Sequence, residues 1–185
     1  MPRILSCFIA GALLVFAATA CAAAPGGDFW QTPTIKGAGR IHPLPKAALQ
    51  PDRKATYKVV FNLTNASTSA STVNSGLDHV ARAVNLFVAA KVPLNHLKFA
   101  VVIHGPATPI VMNDEAYKQK MRAPNPNLAL MQQLRQAGVK IYVCGQAIAD
   151  NNIAYTDIAP QVTLTLSALT DLVILQKEGY VLEPL

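Results

Sequence analysis

Runs of β-branched and aromatic residues alternate with segments of helical period from residue 57 to the end of this chain. That alternation restricts the fold more than any other feature. Tyr57-Lys58-Val59-Val60-Phe61-Asn62-Leu63 is a strand by composition. After a loop of Asn, Ser and Thr, Leu77, Val80, Ala81, Val84, Phe87 and Val88 recur at helical spacing, with Asn74 or Ser75 placed to cap the helix and Pro93 to end it. Leu97-Lys98-Phe99-Ala100-Val101-Val102-Ile103-His104 is a second strand, apolar enough to be buried on both faces. Gly105-Pro106 breaks it. A short polar helix is predicted over 114–121, and a second helix starts at Asn125-Pro126-Asn127, with Leu128, Met131, Leu134 and Ala137 inward and Gly138 closing it. Residues 139–144 form the third strand, 146–151 a helical turn, 162–165 the fourth strand, 166–177 a helix ended by Gly179, and 180–182 a terminal strand. Strands separated by helices require crossover connections. The fold class is therefore α/β, with a mainly parallel central sheet of about five strands and helices on both faces.

The first 24 residues stand apart. Met1-Pro2-Arg3 is a short cationic start, an apolar stretch follows, and Ala18-Thr19-Ala20-Cys21-Ala22-Ala23-Ala24 is a small-residue run suited to signal peptidase. Residues 1–24 therefore read as a signal peptide, and the expected location is periplasmic or secreted. Ala18-Thr19-Ala20-Cys21 also has the outline of a lipobox, so a lipoprotein anchored through Cys21 is the alternative; position 18 is not the usual Leu. No later stretch reaches the roughly 18–20 apolar residues of a membrane span, so no integral membrane span is expected.

Residues 25–55 form a Pro/Gly-rich arm, with Pro25, Gly26, Gly27, Pro33, Gly37, Gly39, Pro43, Pro45 and Pro51. Such a stretch is neither helix nor inner strand. Phe29, Trp30 and Ile41 favour docking over a solvated tether, because a tether rarely carries the chain's one Trp. Residues 56–185 make one domain, a length sufficient for a full core. Loss of residues 1–24 removes one of 16 Lys and Arg and none of 10 Asp and Glu, leaving a charge of +5. The positive residues are spread along the chain without interleaved aromatics, which argues against nucleic acid as a partner. A mild attraction for anions is all that such a charge implies.

Two of three cysteines, Cys7 and Cys21, fall in or beside the signal segment, which leaves Cys144 alone in the domain. An exported chain with one thiol has no disulfide framework, and the leftover cysteine is either reactive, intermolecular or a small buried hydrophobe. In a parallel sheet, sites lie beyond the carboxyl ends of strands. Cys144 and His104 each end a strand. Cys144 is the candidate nucleophile or sulfur carrier and His104 a candidate base or orienting group, with a hydrogen-bonded turn histidine as the plainer reading. No Cys-x-x-Cys or His-x-x-x-His pair supports a metal site, and Gly37-Ala38-Gly39-Arg40 lacks the strand and third glycine of a dinucleotide fingerprint; no cofactor is expected. Asp114-Glu115 reads as a solvated helix start.

His104-Gly105-Pro106-Ala107-Thr108, Asn113-Asp114-Glu115-Ala116-Tyr117, Asn125-Pro126-Asn127-Leu128, Val143-Cys144-Gly145-Gln146, and Ser167-Ala168-Leu169-Thr170 with Gly179-Tyr180 together resemble the DsrE/DsrF-like family, and within it the exported bacterial branch. The similarity runs over about residues 30–185, and the order and spacing of the motifs carry it. The resemblance implies a three-layer α/β/α sandwich and a homo-oligomer, a trimer or a hexamer of stacked trimers. It also implies persulfide sulfur passed through a cysteine after a central strand, the position Cys144 matches, with small sulfur species as partners. The chain departs downstream: sulfur-carrying relatives place a glycine, often with basic residues, where Asp150-Asn151-Asn152-Ile153 stands here, and Asp150 is expected to oppose a thiolate. The alternative is a non-catalytic oligomeric binding or scaffold protein in which Cys144 is structural.

Overall fold

β2 (Leu97–Ile103) is the centre of the molecule, and its sequence explains why. Six of its seven residues are buried, and a strand apolar on both sides must be covered on both sides. A computed structural model describes residues 29–185; the expected signal peptide and Cys21 lie outside the described residues. Within it, β1 (Tyr57–Leu63), β2, β3 (Lys140–Cys144), β4 (Thr163–Thr165) and β5 (Val181–Pro184) form one sheet in the order β4-β3-β2-β1-β5. Every neighbouring pair is parallel. The five-strand α/β sandwich expected from the alternation is the architecture found.

Helices α1 (Ser75–Ala89), α2 (Asp114–Met121) and α3 (Leu128–Gln136) belong to the larger core, with Phe61, Leu63, Phe99, Val101, Ile103, Ile141 and Val143 of the sheet. α1 turns Leu77, Val80, Ala81 and Val84 fully inward, and each Leu or Val so buried contributes about 1.5–3 kcal/mol. Asn74 caps α1 by accepting from the Gly76 and Leu77 N–H groups, a contact worth about 1 kcal/mol. The opposite face of the sheet carries the smaller core of Val60, Ala100, Val102, Cys144, Ala147, Ala168, Leu175 and Tyr180. The helix there is α5 (Ala168–Lys177), while α4 (Gly145–Asp150), at the carboxyl end of β3, gives Ala147 to the smaller core and Ile148 to the larger one.

Three buried asparagines tie the loops at the carboxyl ends of the strands. The Asn125 Nδ2 donates to the Ile110 and Met112 carbonyls at 2.9 and 2.6 Å, and Asn127 Nδ2 donates to Asn125 Oδ1 at 3.0 Å. Asn127 Oδ1 in turn accepts from the Asn74 N–H at 2.8 Å. The helix-start signals at 74 and at 125–127 are thus parts of one network.

The arm docks, but not through Trp30, which is 48 % exposed. Its anchors are Ile35 and Ile41, and the receptor for its backbone is Asn85, fully buried on α1. Asn85 Oδ1 accepts from the Thr34 and Ile35 N–H groups, and its Nδ2 donates to the Ala38 and Gly39 carbonyls at 3.0 and 2.9 Å. Gly39 has no side chain because a Cβ there would meet the Arg82 backbone nitrogen at 2.2 Å. Asn85→Ala removes the partner of five backbone groups, the Ile35 carbonyl included, so urea unfolding should show a loss of about 2–4 kcal/mol. Limited proteolysis should then cut within 31–41; unchanged stability and an uncut arm would contradict this account of the docking.

Candidate functional site

Register brings the site together. Ile103 pairs with Val143 across β2 and β3, so His104 and Cys144, the next residues of each chain, stand side by side at the carboxyl edge. Strand alternation settles their face. Val60, Ala100, Val102 and Cys144 share the smaller core, so Asn62 and His104, two residues on from Val60 and Val102, face the same way. His104 keeps an extended backbone (φ −157°, ψ −177°), which preserves the alternation.

The two sequence candidates are neighbours without being bonded partners. His104 Nε2 lies 2.7 Å from Asn62 Oδ1. An amide oxygen accepts, so Nε2 carries the proton and Nδ1 is left as acceptor in the neutral ring. Burial holds the His104 imidazole below its ordinary pKa, which favours that neutral form. Asn62 is therefore a positioning group that the sequence showed only as part of a strand.

Cys144 is 5 % exposed and, among the described residues, forms no disulfide. It caps α4: Sγ accepts from the Ala147 N–H at 3.4 Å. Ser167 Oγ, from the cap of α5, lies 3.8 Å away. The thiol donates to this hydroxyl, and on ionisation the hydroxyl can turn to donate instead. Burial pushes the thiol up, while hydrogen bonds from the Ala168 and Ala147 N–H groups, the Ser167 hydroxyl and the Gln146 N–H pull it down; the net result lies below the ordinary cysteine value. Asp150 was expected to oppose ionisation. It sits at the far end of α4, about 9 Å along the helix from Cys144, and is not among the groups that move the thiol. Backbone donors do here what basic residues would otherwise do.

Gly145 makes this geometry possible. A Cβ at 145 would lie 2.6 Å from the Thr165 carbonyl oxygen and 3.3 Å from that of Leu166. The β3–α4 turn is pressed against the chain that leads from β4 into α5, and this delivers Ser167 and Ala168 to the sulfur. Ser167 lay inside the helix predicted over 166–177; the helix begins at Ala168 and Ser167 is its cap, accepting from the Leu169 N–H. The signal was present as a Ser with Asp171 in the first turn. Among the described residues, no three His, Cys, Asp or Glu side chains gather to hold a metal, and no helix is long and apolar enough to cross a membrane.

Gly145→Val should separate the two turns. It is expected to cost about 1–3 kcal/mol in urea unfolding, as overpacking does, and to slow thiolate formation at Cys144. Wild-type stability with wild-type thiol titration would show that the close approach is not required.

Comparison with known proteins agrees with the geometry. Among solved structures, a protein of unknown function, MTH1491 from Methanobacterium thermoautotrophicum, is similar in fold, with a TM-score of 0.50 at 16% identity, covering 70% of this chain and 99% of that one. At that identity the likeness speaks for the fold alone. A search of curated proteins gave no match. The DsrE/DsrF-like family profile matches residues 58–184, a span that runs from β1 to β5 and contains Asn62, His104, Cys144 and Ser167. With the motifs, the parallel sheet and this match in agreement, the chain belongs to the DsrE/DsrF-like family.

Proposed function

We propose that this is an exported DsrE/DsrF-like protein that binds or relays sulfane sulfur through Cys144, with His104 assisting. The observation that carries the reading is the Ala147 N–H donated to Sγ at 3.4 Å with the Ser167 hydroxyl 3.8 Å from it, an arrangement that favours a thiolate. In the proposed step the Cys144 thiolate attacks the terminal sulfur of a persulfide donor, R–S–SH. A new S–S bond forms at Cys144, the donor's S–S bond breaks, and its electron pair leaves on R–S⁻. The product is a Cys144 persulfide, with no external oxidant or reductant. Neutral His104, held by Asn62, is available to take or return the proton of the transferred sulfur.

The test is mass spectrometry of the mature protein after exposure to polysulfide. An adduct of one sulfur at Cys144, absent from Cys144→Ser, is expected. No adduct, or equal labelling of the variant, would overturn the reading.

A second reading has its own observation. Cys144 packs with Val60, Ala100, Val102 and Ala147, as a structural cysteine in an oligomeric scaffold would. A thiol reagent decides between them: reaction that requires denaturant favours packing, and reaction of the folded protein faster than that of free cysteine favours the relay.

Oligomerisation as a trimer or hexamer is part of both readings. Leu166, Leu169, Val173 and Ile174 are 70, 83, 64 and 54 % exposed, an apolar surface on and before α5 that begins beside Ser167 and that monomers rarely leave uncovered. Light scattering at micromolar concentration should give a multiple of the mature mass, and Leu169→Asp with Val173→Asp should lower it. A monomer would contradict this.

A further inference from the structure

Far from Cys144, at the amino-terminal ends of the strands, three lysines share one face of the sheet. Lys58 and Lys98 are directly opposed in the register of β1 and β2. Lys140 opens β3, whose register places it opposite Ala100, one pleat repeat beyond Lys98. All three alternate with Val60, Ala100 and Val102, so they lie on the face of the smaller core. Like charges held on neighbouring strands of one face repel one another. Among the described residues the ion pairs are Arg82–Asp78 and Lys118–Asp114, and neither involves these lysines. Lysines on edge strands guard against aggregation, but β1, β2 and β3 are the three interior strands, so that reason does not apply here.

The lysines also have a cleft. A space of about 450 Å³ is lined by Lys98 and Lys140 together with Leu94, Asn95, Gln136 and Tyr180, within the size range of small-ligand sites. Lys58 stands beside Tyr180 instead: its Nζ donates to the Glu178 carbonyl at 2.8 Å and lies 5.9 Å from the centre of the Tyr180 ring. Two lysines thus line a cleft whose other walls are mostly apolar, Leu94 and Phe99 among them, with the Tyr180 ring and the side chains of Asn95 and Gln136. A local arrangement that works against stability and meets at a cleft is the mark of a site.

The geometry points to a second binding site, formed by Lys98, Lys140, Tyr180 and Leu94, for a small organic phosphate or sulfonate. The oxyanion pairs with the two ammonium groups, and the apolar body lies along Tyr180 and Leu94. The site is independent of the chemistry at Cys144, because it occupies the opposite end of the sheet.

Phenyl phosphate is the probe, with benzyl alcohol as the uncharged control, followed by backbone amide shifts in the full mature protein. Saturable shifts centred on Lys98, Gly138, Lys140 and Tyr180 are expected, weakening as salt is added. Benzyl alcohol should give none. Lys98→Ala with Lys140→Ala, a change of exposed residues, should raise Kd by about tenfold or more, as loss of charge-assisted hydrogen bonds does. The proposal is overturned by the absence of saturable binding to about 10 mM, by shifts centred elsewhere, or by equal affinity in the double variant. The shift map of the unsubstituted protein decides the matter by itself should the variant fold poorly.

Discussion

The parallel register of β1, β2 and β3 is the constraint on which the rest depends. It fixes which residues stand at the carboxyl edge, and on which face. With Leu63 aligned to Ile103 and Ile103 to Val143, the polar ends of three strands converge. A slip of one residue in any strand would turn its side chain at this edge from the smaller core to the larger one. The slip is opposed by burial. Val101, Ile103, Ile141 and Val143 face the larger core with no exposure, while Ala100 and Val102 fill the smaller one. The hydrophobic effect that builds the sheet therefore also positions the thiol.

The immediate surroundings of Cys144 rest on a second constraint, the contact of two turns at Gly145. Without it, the cap of α5 would stand away from the sulfur, and two of the four donors, the Ser167 hydroxyl and the Ala168 N–H, would be lost. The balance at the thiol is narrow: a buried sulfur pushed toward the neutral form, and several weak bonds that outweigh the push. His104 is treated differently, burial acting on it without an opposing charge. One edge thus holds a thiol and an imidazole whose pKa values are both lowered, the first by hydrogen bonds that outweigh burial and the second by burial.

Much of the fold was legible in the sequence because each strand and helix has its own period and its own stops. Asn74, Pro93 and Gly138 mark ends in ways that do not depend on tertiary contacts, whereas the Asn127 side chain bonds Asn74 and Asn125 and does not cap α3. The strand order was not legible, since only packing decides that β1 lies between β2 and β5. At the site, Cys144 and His104 were visible by residue type and strand-end position. Asn62 was not, being one polar residue in a strand; Ser167 was visible within a motif but not as a helix cap, because Leu166 continues the apolar pattern of α5 one step too far. Asp150 misled because it is close in sequence, whereas the helix carries it away in space. In the arm, Ile41 was expected to dock and is buried, whereas Trp30 drew attention by size and stays exposed, and Ile35, which the core accepts, went unnoticed.

The sulfur chemistry proposed at the carboxyl edge rests on local donors stabilising the Cys144 thiolate. The pH dependence of alkylation by iodoacetamide measures it directly, because only the thiolate reacts. The account predicts that the rate for the folded protein rises at lower pH than the rate for the same chain in denaturant. A folded-state profile displaced to equal or higher pH would contradict it.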